Sequence, residues 1–566
     1  MKQRVADIVK VGDRLFSGRT QFMSLCQELA MNFYPERADF TRAANLGEEY
    51  AGHLVSSAPV IARRDLAAQI QAMLRPRGKS WFGLVPEDEA LMEDSEVLGF
   101  AQQLVKRQRH FMFAPQALLQ RATKQADNDF ITFGQGIITC EPDYETTSLL
   151  YRNWHLRDVA WMENARGVID NIHRNWSPTI RQLRQEYGDG ALHPSVLRGA
   201  DKEPEKQIKC RHVVLPVADY DYNNDKKRIR GKHKFVMLCV DVENQHIIAE
   251  EPVEDHPYII PRWQTVSGSQ YAHSPAAHYA LPDARTLQAI SYTLLKAGEK
   301  AVDPPMIAVD EMIRSDIDIK PSGITWVDAE YDERLGDVLR PLSQDTRALR
   351  FGAEMQEKHL LMVQEAFFLN KINLPPMSAD MTAYEVQIRT QEYIRNALPL
   401  FEPMETEYNA PLCEKSFNTL LRAGAFGSPR DWPDAVRGLS MRWTFESPLM
   451  EAQRKEETAR FMESAQLLAA AAQIDPSLKG EWDYRKQFRA ALRGAQAPLI
   501  PEEEANEARQ AEGEAAQQQM AAMQAAQQGE AIQSMGMGAK AAGEGGQALI
   551  GMMEGAMGNG GQAEQQ

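Results

Sequence analysis

The chain has 566 residues, of which 43% are hydrophobic and 25% are charged, a composition typical of a soluble globular protein with several domains. No apolar run approaches the ~20 residues that span a bilayer, and the N-terminus lacks the apolar core of a secretory signal, so we predict neither membrane insertion nor export from the cytoplasm where the chain is made. The formal net charge of −16 argues against a protein that wraps DNA with a basic face, although an acidic wall would let a duplex slide past.

Residues 1–281 are predicted to form an α+β domain. Apolar residues at helical spacing predict one helix over residues 1–35 and another over Pro59–Leu74, with Ile61 among its inward positions. From Gly136 onward, short runs rich in β-branched and aromatic residues predict a sheet. The other predicted elements are helices near Glu96–His110, near Pro115–Phe130 and from an N-cap at Ser177 to Gly188, and strands near Trp81–Val85, Gly136–Cys140, Leu149–His155, Val159–Asn164, Val168–Arg174, Ile208–Tyr220, Lys234–Glu243 and His246–Glu251.

Two helices separated by a small β unit follow this domain. Helical spacing predicts the first helix over residues 282–302 and the second over residues 343–369. Between them, residues 303–342 contain short apolar runs, such as Met306–Val309, and a Pro-Ser-Gly turn, which predict strands. The apolar stripes comprise Leu287, Ile290, Leu294, Leu295 and Ala297 in the first helix, and Leu349, Ala353, Gln356, Leu360, Val363 and Phe367 in the second.

A loop over residues 370–380 is predicted after the second helix. Pro375-Pro376 forbids helical structure, and a Thr-x-x-Glu capping box that begins at Thr382 restarts it. The helix that follows is very long for a globular domain, and prolines within residues 381–448 predict that it is kinked or segmented. These prolines are Pro399, Pro403 and Pro411.

The C-terminal part of the chain changes in composition. Residues 449–500 regain apolar periodicity and are predicted to be helical. Residues 501–566 consist largely of Ala, Gln, Gly, Met and Glu without any aromatic residue, and such a segment cannot bury a core. We therefore predict a disordered tail that assembly does not require.

No catalytic, metal or cofactor site is predicted. Gly78-Lys79-Ser80 ends like a phosphate-binding loop, but the glycine required five residues before Gly78 is replaced by Met73. His273 and His278 are too poorly spaced to share one helical face, and no third ligand is evident. Neither G-x-S-x-G nor H-E-x-x-H occurs. The cysteines form no C-x-x-C pair and are expected to be buried free thiols, at Cys26, Cys140, Cys210, Cys239 and Cys413.

Two groups of cations are candidates for contact with nucleic acid. Arg285, Lys296 and Lys300 lie on the first helix of the pair. They are either ordinary surface charge or, once copied by symmetry, rings of cations along a channel. A second group forms the strongest basic run, which fits a solvated loop as well as a contact with nucleic acid or protein. This basic run contains Lys226, Lys227, Arg228, Arg230, Lys232 and Lys234.

Short motifs occur in a fixed order along most of the chain, from about Leu66 to Glu507. They are Leu74–Pro76, Trp81-Phe82-Gly83-Leu84, Asp303-Pro304-Pro305, Asn373-Leu374-Pro375-Pro376, Met381-Thr382-Ala383-Tyr384-Glu385-Val386 with Arg389, Ser447-Pro448-Leu449 and Ala452-Gln453-Arg454. In order and spacing, these motifs resemble the head-to-tail connecting (portal) proteins of short-tailed bacteriophages, whose long helix begins with a similar T-A-x-E-[VI] run.

The resemblance implies an α+β, predominantly helical subunit with wing, stem, clip and crown regions. It also implies a homo-oligomeric ring, expected to be a dodecamer, at one capsid vertex of the virion. The implied partners are double-stranded DNA, the large terminase, tail adaptor or connector proteins, and the major capsid and scaffolding proteins. The corresponding regions are the wing (1–281), the stem helices (282–302 and 343–369), the clip (303–342), the tunnel loop (370–380), a long kinked helix returning to the wing (381–448), the crown (449–500) and the tail (501–566).

The resemblance further implies roles for individual residues. The tunnel loop would present Asn370, Lys371, Asn373, Pro375, Pro376 and Met377 to the channel. The clip would contact terminase and adaptor through Pro304, Pro305, Pro321, Gly323 and Trp326.

Two other classes of function remain open from the sequence. A metal-dependent nuclease or maturation hydrolase would show metal- or ATP-dependent turnover by the purified chain. A monomeric tail or scaffold protein would show no rings by negative-stain microscopy.

Overall fold

The computed structural model describes residues 2–445 apart from 43–44, 46, 89–90, 92–93, 144–147, 221–232, 303–305, 309–338, 342–346, 373–403, 429 and 431, together with 461–462, 464–466 and 488. The chain divides into two compact units, Met1–Ala452 and Gln453–Gln566, and nearly all described residues belong to the first. Helices and sheets are both present, and helical residues outnumber strand residues, so the predicted α+β class is confirmed. Within the described ranges, no helix has the length and hydropathy needed to cross a bilayer.

The N-terminal segment forms two helices, so the prediction of one helix over residues 1–35 was wrong. Helices α1 (Lys2–Ser17) and α2 (Thr20–Phe33) are separated at Arg19, whose backbone leaves the helical region. The buried Arg19 guanidinium donates through Nη1 to main-chain carbonyls, including that of Leu156 at 2.8 Å. Because a buried arginine requires acceptors, this distant contact outweighs the local helical pattern.

Three further helices follow α2; the first and the third build the principal core with it, and the second packs in another hydrophobic cluster. The helix predicted over Pro59–Leu74 is confirmed, but Ile61 is 42% exposed, so its inward assignment was wrong. Leu118 adopts a left-handed φ of 56°, which makes the last of the three helices begin later than predicted. The elements are α3 (Ala58–Leu74), β1 (Phe82–Pro86), α4 (Ser95–Met112), α5 (Leu119–Phe133), β2 (Ile138–Asp143) and β3 (Ser148–Asn153). The fully buried side chains of this core include Phe33, Leu66, Ile70 and Phe130.

A five-stranded antiparallel sheet follows, with its strands in chain order. Gly167, with a φ of 74°, turns the first of these strands into the second as the sequence predicts. The strands and the two helices between them are β4 (Val159–Glu163), β5 (Ile169–Trp176), α6 (Ile180–Tyr187), α7 (Pro194–Ala200), β6 (Cys210–Pro216), β7 (Phe235–Asp241) and β8 (His246–Val253). Helix α1 covers one face with Val5 and Val9, whereas α6 and α7 form a separate cluster on the sheet with Leu183.

The cap of α6 differs from the prediction. Thr179, rather than Ser177, is the N-cap, and it forms a reciprocal capping box with Gln182. Gly188 ends the helix as predicted, with a φ of 76°. The sequence offered two hydroxyl-bearing candidates two residues apart, and only Thr179 has a glutamine at the third helical position.

The remaining elements leave the α+β body formed by residues 1–281 and later return to it. They are β9 (Tyr258–Ile259), a π-helix (Ala276–Ala280), α8 (Leu281–Val302), β10 (Met306–Ala308), β11 (Leu339–Pro341), α9 (Arg347–Ala366), α10 (Leu369–Ile372), a second π-helix (Glu405–Asn409), α11 (Ala410–Arg422) and β12 (Met441–Phe445). Strand β9 joins β2 and β3 in a second sheet. Strand β12 pairs antiparallel with β1, so that Phe82 lies opposite Phe445 and both residues belong to one hydrophobic cluster.

Candidate functional site: a helical hairpin rooted in the body

Helices α8 and α9 pack against each other as an antiparallel hairpin. Three contacts fix their register: His359 Nδ1 with Asp283 Oδ1 at 3.0 Å, Gln356 Nε2 donating to Ser291 Oγ at 2.9 Å, and Gly352 against Leu294. A Cβ atom at Gly352 would stand 2.7 Å from Leu294 Cδ2, so the missing side chain permits this close approach. The two helices predicted over residues 282–302 and 343–369 are therefore confirmed as neighbours.

A short strand pair continues the hairpin beyond the helices. In β10 and β11, Met306 pairs with Pro341 and Ala308 with Leu339, in the same antiparallel sense as the helices. The strand predicted at Met306–Val309 is confirmed over Met306–Ala308. The pair closes the base of residues 309–338, which lie outside the described ranges together with all five candidate clip residues: Pro304, Pro305, Pro321, Gly323 and Trp326.

The first half of α8 is rooted in the body. Leu281, Ala284 and Leu287 are buried. Gln288 binds the loop that precedes α3 through both ends of its amide. Its Oε1 accepts from the backbone nitrogens of Val55 and Ser56 at 2.9 Å each, and its Nε2 donates to the Ser56 carbonyl at 2.7 Å. The second half of the helix extends past these contacts.

The end of α9 is anchored by aromatic side chains. Phe367 is fully buried and meets the edge of Phe33, with ring centroids 5.5 Å apart. Phe368 stacks on Trp263 and has a φ of 57°, a left-handed conformation that is rare for a large residue. Because Leu369 is buried directly afterwards, packing on both sides holds this turn, at which the chain leaves α9 for α10.

The loop predicted over residues 370–380 is wrong at residues 370–372, because these residues lie in the short helix α10 that follows this turn. Asn370 is exposed, and the backbone of Lys371 lies in α10. The other four candidates, Asn373, Pro375, Pro376 and Met377, lie outside the described residues. The anchor at Phe367–Leu369 was not predicted, since only the helical stripe that ends at Phe367 was visible in the sequence.

The chain re-enters the described region through the second π-helix, which runs directly into α11. Pro411 stands in the first turn of α11, a position that a proline occupies without losing a helical hydrogen bond. Pro399 and Pro403, where the prediction also places kinks, lie outside the described residues. Within the π-helix, Glu407 binds Arg262 with two contacts of 3.0 and 3.1 Å. The fully buried Tyr408 lies 4.3 Å from the Arg75 guanidinium.

Arg75 is the centre of a buried polar cluster that joins this π-helix to α3 and α5. Its Nη2 pairs with Asp127, and its Nη1 donates to Asn409 Oδ1 at 3.1 Å. The side chains of Arg75 and Asp127 are 3% and 1% exposed. Such a pair holds its elements in one arrangement, because separating the partners would leave a charge buried without compensation.

The three predicted channel cations have different surroundings. Arg285 is paired with Glu28 of α2, with Nε 2.6 Å from Oε1. Lys296 is exposed and its Nζ lies 4.5 Å from the centre of the Tyr292 ring, and hydrogen bonding to Tyr292 raises the pKa of Lys296. Lys300 is exposed in the last turn of α8.

The hairpin also exposes large apolar side chains that the sequence did not identify as exposed. Tyr292 and Leu295 of α8 are 48% and 55% exposed, and Phe351 of α9 is 65% exposed. Ala353, counted in the apolar stripe, is exposed as well. Helical spacing reveals an apolar stripe but not the point along the helix at which the body ceases to cover it.

The other predicted features do not converge on a reactive site. The rings of His273 and His278 lie 4.9 Å apart, and burial, followed by the influence of His278, lowers the pKa of His273. Among the described residues, no group of three or more potential metal ligands is present. Of the basic run, only Lys234 is described, and it is exposed just before β7. All five cysteines are free and buried, as predicted.

Comparison with known proteins decides the family. A model of the family described as bacteriophage head to tail connecting protein matches residues 6–499. The chain belongs to this family. It is 24% identical over 473 residues to a probable portal protein of Bordetella phage BPP-1, covering 83% of each chain. It is 22% identical over 529 residues to the portal protein of Salmonella phage epsilon15, covering 91% of this chain and 93% of that protein.

Membership of the family makes this protein a phage head-to-tail connecting protein and confirms the resemblance drawn from the motifs. The relatives are matched over most of their length, so the likeness includes both the α+β body and the hairpin.

Proposed function

We propose that this protein is the portal subunit of a tailed phage. Copies of it form a ring, a dodecamer by the family expectation, at one capsid vertex of the virion. The ring nucleates head assembly, passes double-stranded DNA during packaging and ejection, and binds first the large terminase and then the tail adaptor. The observation that carries this proposal is a two-helix hairpin that leaves an α+β body and ends in a strand pair, in a chain of the connecting-protein family.

In this proposal each region has a mechanical role. The body over residues 1–281 is the wing, α8 and α9 are the stem, and residues 303–342 are the clip that meets terminase and adaptor. Residues 370–380 are the tunnel loop and 381–448 the long helix that returns to the wing. Residues 449–500 are the crown, which faces the head interior, and residues 501–566 are the tail.

The net charge supports a channel through which DNA passes rather than a site that binds DNA tightly. The net charge of −16 disfavours tight binding of a polyanion, so DNA can slide. Lys296 and Lys300 are exposed, and their copies around the ring would form rings of positive charge that bind DNA weakly. Arg285 is already paired with Glu28. The exposed Lys234 marks the edge of a patch that would contact DNA, capsid or scaffold.

The first test is the assembly state of the purified chain. Light scattering and negative-stain microscopy at micromolar concentration should show rings with a central hole. A species that remains at the chain mass of 63.8 kDa would refute the proposal. Truncation after Ile500 should leave the rings intact, because residues 501–566 contain no aromatic anchor.

The second test separates passage of DNA from assembly. Deletion of Asn373 to Ala379 should leave rings and empty heads intact but reduce the DNA packaged or retained per particle. The anchor at Phe367–Leu369 stays in place in this variant, so the wing and the hairpin should fold normally. Loss of rings would instead identify the loop as a subunit contact, and full infectious heads would exclude a role in the channel.

A further inference from the structure

The hairpin carries two separate exposed apolar stripes. The α8 stripe consists of Tyr292 and Leu295, which are 48% and 55% exposed. The α9 stripe consists of Phe351 and Met362, which are 65% and 37% exposed. Large apolar side chains grouped in this way on a soluble protein indicate a surface that another molecule covers.

The two stripes lie on opposite faces of the hairpin. Leu295 follows the contact residue Leu294 by one position, whereas Phe351 precedes its contact partner Gly352 by one position. Each step of one residue turns the side chain by about 100° around a helix with 3.6 residues per turn. Because the helices are antiparallel, a forward step on one and a backward step on the other lead to opposite faces.

This arrangement determines the symmetry of the contact. A two-fold dimer would join like stripes and leave the stripes on the other face exposed. A head-to-tail contact covers both stripes of every copy, and it closes into a ring when the rotation between copies divides the circle. The occupant of the α8 stripe is therefore the α9 stripe of a second copy.

The level of the residues along the hairpin fixes their register. Leu294 and Gly352 touch, so Leu295 and Phe351 stand at the same height. A neighbour related by rotation about an axis parallel to the hairpin keeps that height. Its Phe351 then faces Leu295, so the most exposed residue of each stripe meets the most exposed residue of the other.

We propose that the α8 stripe of each subunit binds the α9 stripe of the next, with Leu295 against Phe351. This deepens the proposed function, because it identifies the stem contact of the ring that the function requires. Truncation of large residues at the centre of an interface commonly weakens binding tenfold or more. Leu295→Ser and Phe351→Ser should each shift the concentration for ring assembly by at least that factor.

Cysteine cross-linking tests the contact directly, because all five native cysteines are buried. In assembled rings, the double variant Leu295→Cys with Phe351→Cys should form a ladder of covalent oligomers on oxidation. Either single variant should stay monomeric on a denaturing gel. The matched control is Leu295→Cys with Leu361→Cys, because Leu361 is also exposed but stands ten residues further along α9, about 15 Å away, and should give no ladder.

A charge exchange across the two stripes provides a second measurement that does not depend on cross-linking. Leu295→Glu should weaken assembly, and adding Phe351→Lys to the same chain should restore it, because each glutamate then faces a lysine of the next copy. Rings that form normally but give neither the ladder nor this rescue would overturn the stripe contact and leave the proposed function standing. Dimers from a single cysteine variant would overturn the head-to-tail symmetry. A wild-type chain that never forms rings would overturn both proposals.

Discussion

Replacement of Arg75 by methionine should destabilise the body by about 3–5 kcal/mol, the usual cost of removing one partner from a buried ion pair. The side chains of Arg75 and Asp127 are 3% and 1% exposed, so solvent cannot compensate the remaining carboxylate. Asn409 would lose its contact at 3.1 Å in the same substitution. Because Asn409 ends the second π-helix, the loss should also loosen the start of α11.

Helix α3, which ends immediately before Arg75, provides a matched control. Arg64 pairs with Asp65 at 2.9 Å, but these side chains are 66% and 41% exposed. Exposed pairs of this kind contribute roughly 0–1 kcal/mol. Arg64→Met therefore removes the same chemical group from α3 at little expected cost.

A double variant distinguishes the pair from the packing around it. Arg75→Met with Asp127→Leu removes both charges, and replacing a buried pair by apolar residues is often neutral. We expect this variant to recover most of the stability lost in Arg75→Met. Urea unfolding followed by tryptophan fluorescence, with hydrogen exchange of peptides from α3 and α5, measures the differences. Equal stabilities of Arg75→Met and Arg64→Met, or no recovery in the double variant, would refute the reasoning.

Three further predictions concern the hairpin and the buried histidines. Gly298→Ala should stabilise α8 by about 0.5–1 kcal/mol, because the space around its Cβ position is open. Gly352→Ala places a methyl group against α8 and should be about 1–2 kcal/mol less stable than Gly298→Ala. Hydrogen exchange of peptides from the hairpin measures the difference. Phe368→Gly should be about 1 kcal/mol more stable than Phe368→Ala by thermal unfolding, because both lose the ring contact but only glycine tolerates the left-handed φ without strain; equal stabilities would contradict this. Burial, followed by Arg174, lowers the pKa of His212 to about 3. Since this value lies below the unfolded value of ~6.5, the stabilisation is complete above pH ~6.5 and is lost as the pH falls towards 3, by up to about 1.4 kcal/mol per pH unit, and His212→Gln should flatten that slope in unfolding measured from pH 6 to 4.

Local patterns in the sequence predict much of the body. The turn at Gly167 and the alternation around it identify two strands because glycine and side-chain periodicity act within a few residues. The pairing of β1 with β12 has no such signal, since more than 350 residues separate Phe82 from Phe445. The break at Arg19 is equally hidden, because its cause is a carbonyl contributed by Leu156.

In the candidate site, too, features set by local sequence are predictable, whereas features set by distant contacts are not. Helical spacing and Pro375-Pro376 predict two helices followed by a break, and the hairpin confirms both helices. The turn at Phe368 could not be predicted, because its left-handed backbone depends on Trp263 and on the buried residues beside it. Nor could the sequence distinguish Leu294, which meets α9, from Leu295, which remains exposed.

A small tilt of the hairpin would displace its far end. Helix α8 has 22 residues and is about 33 Å long at ~1.5 Å per residue, and only its first half is fastened to the body. A tilt of about 5° around Gln288 would move Val302, which lies 14 residues or about 21 Å further along the helix, by about 2 Å, enough to stretch a hydrogen bond of ~3 Å beyond its usual range. The strand pair β10–β11 lies at this far end. A small tilt of α8 at the Gln288 contact would therefore displace the strand pair far enough to make or break a hydrogen bond with a bound partner. The contacts of Asp283, Ser291 and Leu294 with α9 join the two helices, so we expect them to tilt together.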